Sequence, residues 1–156
     1  MQLVVLGLNH KTVPVDIREQ FAISPDSARS GLIHLDEQEG IEEAVVLSTC
    51  NRTEIYAVLK DETAKETLYD FFLALSGNSE AKDEYFFYFE GEACIRHLFE
   101  VVSGLDSMVI GESQILNQIK TAYTMALEEK ATRTILNTLF PVSYTHLRAH
   151  ETLSDL

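Results

Sequence analysis

A cysteine flanked by hydrogen-bonding and cationic side chains is the feature of this chain best suited to covalent chemistry. Cys50 stands in Ser48-Thr49-Cys50-Asn51-Arg52, a polar turn between two apolar runs. A thiol becomes a useful nucleophile when its anion is favoured, which needs nearby positive charge or oriented donors and some access to solvent. Thr49 and Asn51 supply hydrogen-bonding groups, and Arg52 places a guanidinium two residues away. The plainer reading is a small buried cysteine at a strand end, the commoner fate of this residue type. An inert core thiol prefers apolar neighbours, however, and these are polar. The second cysteine, Cys94, lies in an apolar helical pattern and reads as core. The two show no metal or disulfide spacing, and both are expected to be reduced thiols in a reducing compartment.

Other residues could serve such a nucleophile. His97, three positions after Cys94, carries an imidazole that exchanges protons near neutral pH. A histidine on an amphipathic helix is equally well read as a satisfied, half-buried side chain. Ser107 and the Glu112-Ser113-Gln114 segment flank the start of a long helix, where unbonded backbone N–H groups and the helix dipole favour an anionic ligand. Gln118 shares a face with Gln114; the plainer reading of all five is capping and a solvated helix face. Arg52 has its own plain alternative, a salt bridge with Glu54. His10 and Lys11 receive no role. His146 and His150 stand four apart and mimic a helical metal pair, but no metal site is expected.

The elements that must position these residues follow from periodicity. Residues 3–7 predict a buried strand, and a short helical stretch opens at Pro14. Ser24-Pro25 marks a helix start running to about residue 40. Residues 43–47 and 53–59 predict two strands joined through Cys50. An amphipathic helix covers 63–75 and stops at Ser76-Gly77-Asn78. An aromatic strand follows at 84–89, then a helix from Gly91 to near Gly104, and a long helix over about 111–130. The order is that of an α+β, ferredoxin-like split βαβ sandwich, with helices on one face of a mostly antiparallel sheet and an additional long C-terminal helix. Residues 1–140 form one domain. After Pro141 the chain changes character, and 142–152 resembles translated adapter or vector read-through, so 141–156 is expected to be a foreign or disordered tail.

Bulk properties narrow the function. The 156 residues carry 25 acidic against 12 basic side chains, a formal charge of −13. Such a surface repels phosphate backbones, which argues against broad nucleic-acid binding while leaving room for recognition of one RNA end. The apolar start is too short to span a bilayer and has no cleavage site, so a cytoplasmic, non-membrane protein is expected.

Three long motifs at compatible spacing bring a family into view. They are Gly7-Leu8-Asn9-His10-Lys11-Thr12-Val13-Pro14-Val15, then Leu47-Ser48-Thr49-Cys50-Asn51-Arg52-Thr53-Glu54-Ile55-Tyr56, then Gly104-Leu105-Asp106-Ser107-Met108-Val109-Ile110-Gly111-Glu112-Ser113-Gln114-Ile115-Leu116. Together they resemble the N-terminal catalytic domain of glutamyl-tRNA reductase, over about residues 1–140. The resemblance implies that Cys50 attacks the ester joining glutamate to its transfer RNA, and that NADPH reduces the resulting thioester to glutamate-1-semialdehyde for tetrapyrrole synthesis. It further implies that His97 assists the thiol or the leaving group and that Arg52 pairs bidentately with the substrate γ-carboxylate, as lysine could not. Thr49, Asn51, Ser107, Glu112, Ser113, Gln114 and Gln118 would line the substrate pocket.

The seven glycines include no Gly-x-Gly pair, so no cofactor-binding residue is expected in this chain. The NADPH-binding and dimerisation domains of relatives are read as absent, leaving an acyl-accepting fragment that cannot complete the reduction. Implied partners are the acceptor end of glutamyl-tRNA, a second copy in the full-length homodimer, and glutamate-1-semialdehyde aminomutase. Two alternatives are a non-catalytic ferredoxin-like binding or regulatory module, and a thiol hydrolase requiring Cys50 and His97 within hydrogen-bond reach.

Overall fold

The computed structural model describes residues 1–104 and 114–154, with side chains through residue 145. Strands β1 (Gln2–Asn9), β2 (Ile41–Ser48), β3 (Arg52–Leu59) and β4 (Phe87–Glu90) form one sheet in the order β2-β3-β1-β4. Every neighbouring pair is antiparallel. The helices are α1 (Val15–Gln20), α2 (Pro25–Ile33), α3 (Lys65–Ser76), α4 (Glu92–Val102), α5 (Gln114–Glu128) and α6 (Thr134–Ser154). The chain is thus a mixed α and β fold around a four-stranded antiparallel sheet.

Side chains alternate across a strand, and residues paired between strands share a face. The register therefore gathers Val5, Gly7, Glu54, Tyr56, Phe87 and Phe89 on one face. α4 and α6 cover it: His97 reaches Glu54, and Phe140 packs edge-on to Tyr56 at 5.4 Å. The opposite face carries Val4, Leu6, Ile55, Ala57 and Tyr88. The crossover helices lie here, with Lys65 of α3 over the Tyr88 ring and Ile23, just before α2, bonded to Ser48. Helices therefore flank both faces, where one covered face was expected. The reason lies in β1 and β3, whose near-continuous apolar runs are buried on both sides and need cover on both.

Several boundaries differ from expectation. Ser24 caps α2 by accepting from the Ser27 N–H, with Pro25 at the first position, as its residue types demand. The helix then ends at Ile33 instead of near residue 40. A 3₁₀ turn over Leu35–Glu37 buries Leu35, and Gly40, at φ +86°, turns the chain into β2. α3 stops where Gly77 adopts the left-handed conformation. β4 begins at Phe87 because Asp83–Tyr85 forms a 3₁₀ turn. Of the long helix expected from 111, residues 111–113 lie outside those described.

α6 continues through Pro141 to Ser154, although proline lacks the N–H that an interior position would donate. Packing carries the helix past that defect. Phe140 and Ser143 are buried, and the Ser143 and Thr145 hydroxyls donate to the carbonyls of Phe140 and Pro141. The foreign reading of 141–156 concerns the origin of the sequence, about which a helix says nothing. The other end of α6 is set by Glu43, a buried carboxylate on β2. It accepts N–H bonds from Arg133, Ile135 and Leu136 at 2.6, 3.3 and 2.9 Å, satisfying donors that a helix start leaves open.

Glu43→Ala is expected to lower unfolding free energy by about 2 kcal/mol, because it strands buried N–H donors at the start of α6. Urea denaturation followed by circular dichroism measures this, and an unchanged midpoint would contradict the capping role.

Candidate active site

Cys50 occupies the three-residue connection between β2 and β3 and is exposed. The turn around it is closely held. Thr49 N–H donates to the Arg52 carbonyl at 2.8 Å, and Asn51 N–H to Thr49 Oγ1 at 3.1 Å. From outside the turn, His10 N–H donates to the Asn51 carbonyl at 3.2 Å and Arg18 Nε to the Cys50 carbonyl at 3.3 Å. The His10 segment is itself shaped by Asn9, whose side chain accepts the Lys11 N–H while its own N–H donates to Thr12 Oγ1. The motif around Asn9 thus buttresses the Cys50 turn, a role that its residue types alone did not reveal.

Beneath the turn lies a buried polar cluster centred on Glu54, a side chain with 0% exposure. Its Oε2 accepts from Arg52 Nη1 at 3.0 Å and from His97 Nε2 at 2.7 Å, and its Oε1 accepts from the Tyr56 hydroxyl at 2.8 Å. Burial pushes the Glu54 carboxyl up, but the hydrogen bond and charge of His97, with Arg52 and Tyr56, outweigh it and hold the group below its usual value. Burial, then the charge of Glu54, pushes Tyr56 well above its ordinary value, keeping it a neutral donor. Because Glu54 is an anion, Nε2 of His97 carries the proton of the shared bond. The ring is packed among Phe87, Phe89 and Tyr56, with centroids 4.8, 5.3 and 6.4 Å away.

The cluster fits only because β1 carries no side chain opposite it. A Cβ on Gly7 would stand 2.7 Å from the Thr53 carbonyl oxygen, 2.9 Å from Glu54 Cγ and 3.0 Å from the Phe87 ring. Cys94 lies fully buried beside the cluster, and burial, with the Glu54 charge, pushes its thiol up to about 12. It stays a neutral core thiol, which leaves the exposed Cys50 as the accessible thiol.

The structure treats the sequence candidates unequally. Arg52 is buried and bound to Glu54, so the expected guanidinium at the turn is directed inward. His97 forms its hydrogen bond with Glu54 and none with the Cys50 thiol, so the hydrogen-bonded cysteine–histidine dyad needed for a thiol hydrolase is not formed. Gln114 and Gln118 border a cavity of about 300 Å³ with Ser48, Val46 and Met125, between α2 and α5 at the β2 edge. Ser107, Glu112 and Ser113, and the side chains of His146 and His150, lie outside the described residues. Among the described residues no cluster of histidine, cysteine and carboxylate groups could hold a metal, and no helix is long and apolar enough to cross a membrane.

The geometry can be set beside known proteins. A family described as "Glutamyl-tRNAGlu reductase, N-terminal domain" matches residues 6–148. The chain belongs to this family. A glutamyl-tRNA reductase from Exiguobacterium sp. is 47% identical over 153 residues, covering 96% of this chain and 34% of the relative. One from Rubrobacter xylanophilus is 46% identical over 143 residues, 90% of this chain and 33% of the relative. The solved glutamyl-tRNA reductase from Methanopyrus kandleri aligns with a TM-score of 0.78 at 31% identity, over 96% of this chain and 34% of that one. This reductase N-terminal domain thus spans about a third of the length of the curated relatives it matches.

Two members of the site escaped the sequence reading. Glu54 was weighed only as a salt-bridge partner, although an acidic residue inside an apolar strand run was a usable signal. Arg18 gave none, since an arginine in a short amphipathic helix looks like any solvated charge.

Glu54→Gln is expected to cost about 3 kcal/mol at neutral pH by removing the buried anion that accepts from Arg52, His97 and Tyr56. Because the folded carboxyl is held below its unfolded value, its contribution is complete above about pH 4.5 and is lost as pH falls through the lower folded value. Urea unfolding from pH 7 to 3 should therefore show a steeper acid decline in the unmodified chain than in Glu54→Gln. Gly7→Ala should be destabilised by about 1–3 kcal/mol in the same assay through overpacking.

Proposed function

We propose that this domain is the acyl-accepting part of a glutamyl-tRNA reductase. Cys50 Sγ attacks the ester carbonyl of glutamyl-tRNA, a C–S bond forms, the C–O bond to the terminal ribose breaks, and the ribose oxygen leaves with a proton. The observation that carries this is the exposed Cys50 on a backbone turn anchored from two other segments. A thiol presented on a rigid rim is placed to meet a macromolecular ester that cannot enter a closed cavity. A thioester accepts hydride more readily than an ester, so its formation divides a difficult reduction into two easier steps.

In this reading Arg52, held inward by Glu54 in the free domain, is the cation that the substrate γ-carboxylate meets on binding. His97, its Nε2 held by the same oxygen, serves the departing ribose oxygen through its other ring nitrogen. Thr49 and Asn51 in the turn and Gln114 and Gln118 beside it contact the substrate, together with Ser107, Glu112 and Ser113. The strand order and the two crossover helices on one face support reading the sheet as ferredoxin-like. NADPH supplies hydride when bound. A dinucleotide loop joins a parallel strand to a helix through closely spaced glycines, whereas the sheet pairs only antiparallel strands. These residues do not fit that cofactor, and its binding is assigned to parts of the enzyme beyond them. A cytoplasmic homodimer that passes its product toward tetrapyrroles through glutamate-1-semialdehyde aminomutase completes the proposal.

Incubation with radiolabelled glutamyl-tRNA followed by acid precipitation should leave label on the protein. Cys50→Ser should lower that label roughly 10³-fold or more, as expected for loss of a nucleophile, while Cys94→Ser retains it. Label persisting in Cys50→Ser would falsify the assignment.

A further inference from the structure

Arg18 is a buried arginine, at 9% exposure, on the six-residue helix α1. Its Nη1 donates to the Val13 carbonyl at 2.9 Å and its Nε to the Cys50 carbonyl at 3.3 Å. No carboxylate pairs with it among the described residues, in contrast to Arg29, Arg52 and Arg133. A buried cation ordinarily has an anionic partner, because burial strips its hydration. Arg18 therefore holds a positive charge under the Cys50 turn that a folding role alone does not require. Departures of this kind concentrate at functional sites.

The geometry also needs a guanidinium. Two carbonyls from segments more than thirty residues apart are bridged by two donors on one rigid planar group, which a single ammonium at the end of a flexible stem does not reproduce. Cys50 is itself exposed, so packing of its side chain does little to fix the sulfur. Its position depends on the backbone bonds to Arg18 and from His10.

We propose that Arg18 is a positioning residue for Cys50, its fork pinning the turn so that the sulfur is held at the rim as the ester carbonyl approaches. The proposal rests on the acyl-accepting reading of Cys50 and adds a residue outside the cysteine motif.

Single-turnover transfer of labelled glutamate to the 156-residue chain separates positioning from folding. The amplitude counts folded protein and the rate constant reports the attack. Arg18→Lys and Arg18→Ala should keep the amplitude and lower the rate constant roughly ten- to a hundredfold, with methylguanidinium restoring part of the rate in Arg18→Ala alone. A reduced amplitude with an unchanged rate constant, or full activity in Arg18→Lys, would overturn the proposal. If Arg18→Ala fails to fold, Arg18→Lys carries the test. Amide hydrogen exchange needs no acyl chemistry: Arg18→Lys should speed exchange at residues 49–52 about tenfold or more, with the β1–β3 ladder unaltered. Unchanged exchange at the turn would sink the anchor. Absence of any label on the unmodified chain would instead count against the Cys50 reading, leaving the exchange result to decide the role of Arg18.

Discussion

A single carboxylate buried between the sheet and a helix organises this domain. Glu54 binds Arg52 and Tyr56 along its own strand and His97 from α4. A hydrocarbon contact would let a helix rotate or slide against the sheet at little cost, whereas a buried anion tolerates few settings, because each lost partner leaves charge unsolvated. A buried ion pair is weak evidence for net stability, and its best-attested use is to fix the register of the elements that carry it. Gly7 on β1 and the aromatic pair on β4 complete the enclosure, so three of the four strands answer to one side chain.

This arrangement sets the electrostatics of the site against those of the molecule. The chain carries −13 overall, yet Arg18 and Arg52 at the Cys50 end of the sheet are buried. Buried cations in an acidic shell are poor at attracting a polyanion over distance, since the outer field is negative and salt screens the rest. They act strongly on a group that has already arrived, in a medium less polarisable than water.

Much of the local structure was legible in the residues. Ser24-Pro25 starts a helix, Gly77 ends one, and Cys50 sits in the turn between two strands, because capping, left-handed backbone and strand alternation act within a few positions. Less legible was anything decided by contact across the chain. The early end of α2 follows from burying Leu35, and the survival of α6 through Pro141 follows from packing of Phe140 and Ser143. The second covering layer of helices was signalled by β1 and β3, whose apolar runs do not alternate, although the element order alone suggested one covered face.

The sequence by itself determined the family, the nucleophile candidate and the strand–turn–strand that carries it, since these are written in contiguous residues. Tertiary structure decided which charges meet. Arg52 faces Glu54 because strand alternation puts residues two apart on one face, and His97 joins them only once α4 lies across that face. Arg18 reaches the Cys50 carbonyl across 32 positions of chain. No local rule encodes such meetings, because the energy that selects them, the cost of leaving a buried charge or carbonyl unsatisfied, exists only after the sheet and its helices have excluded water.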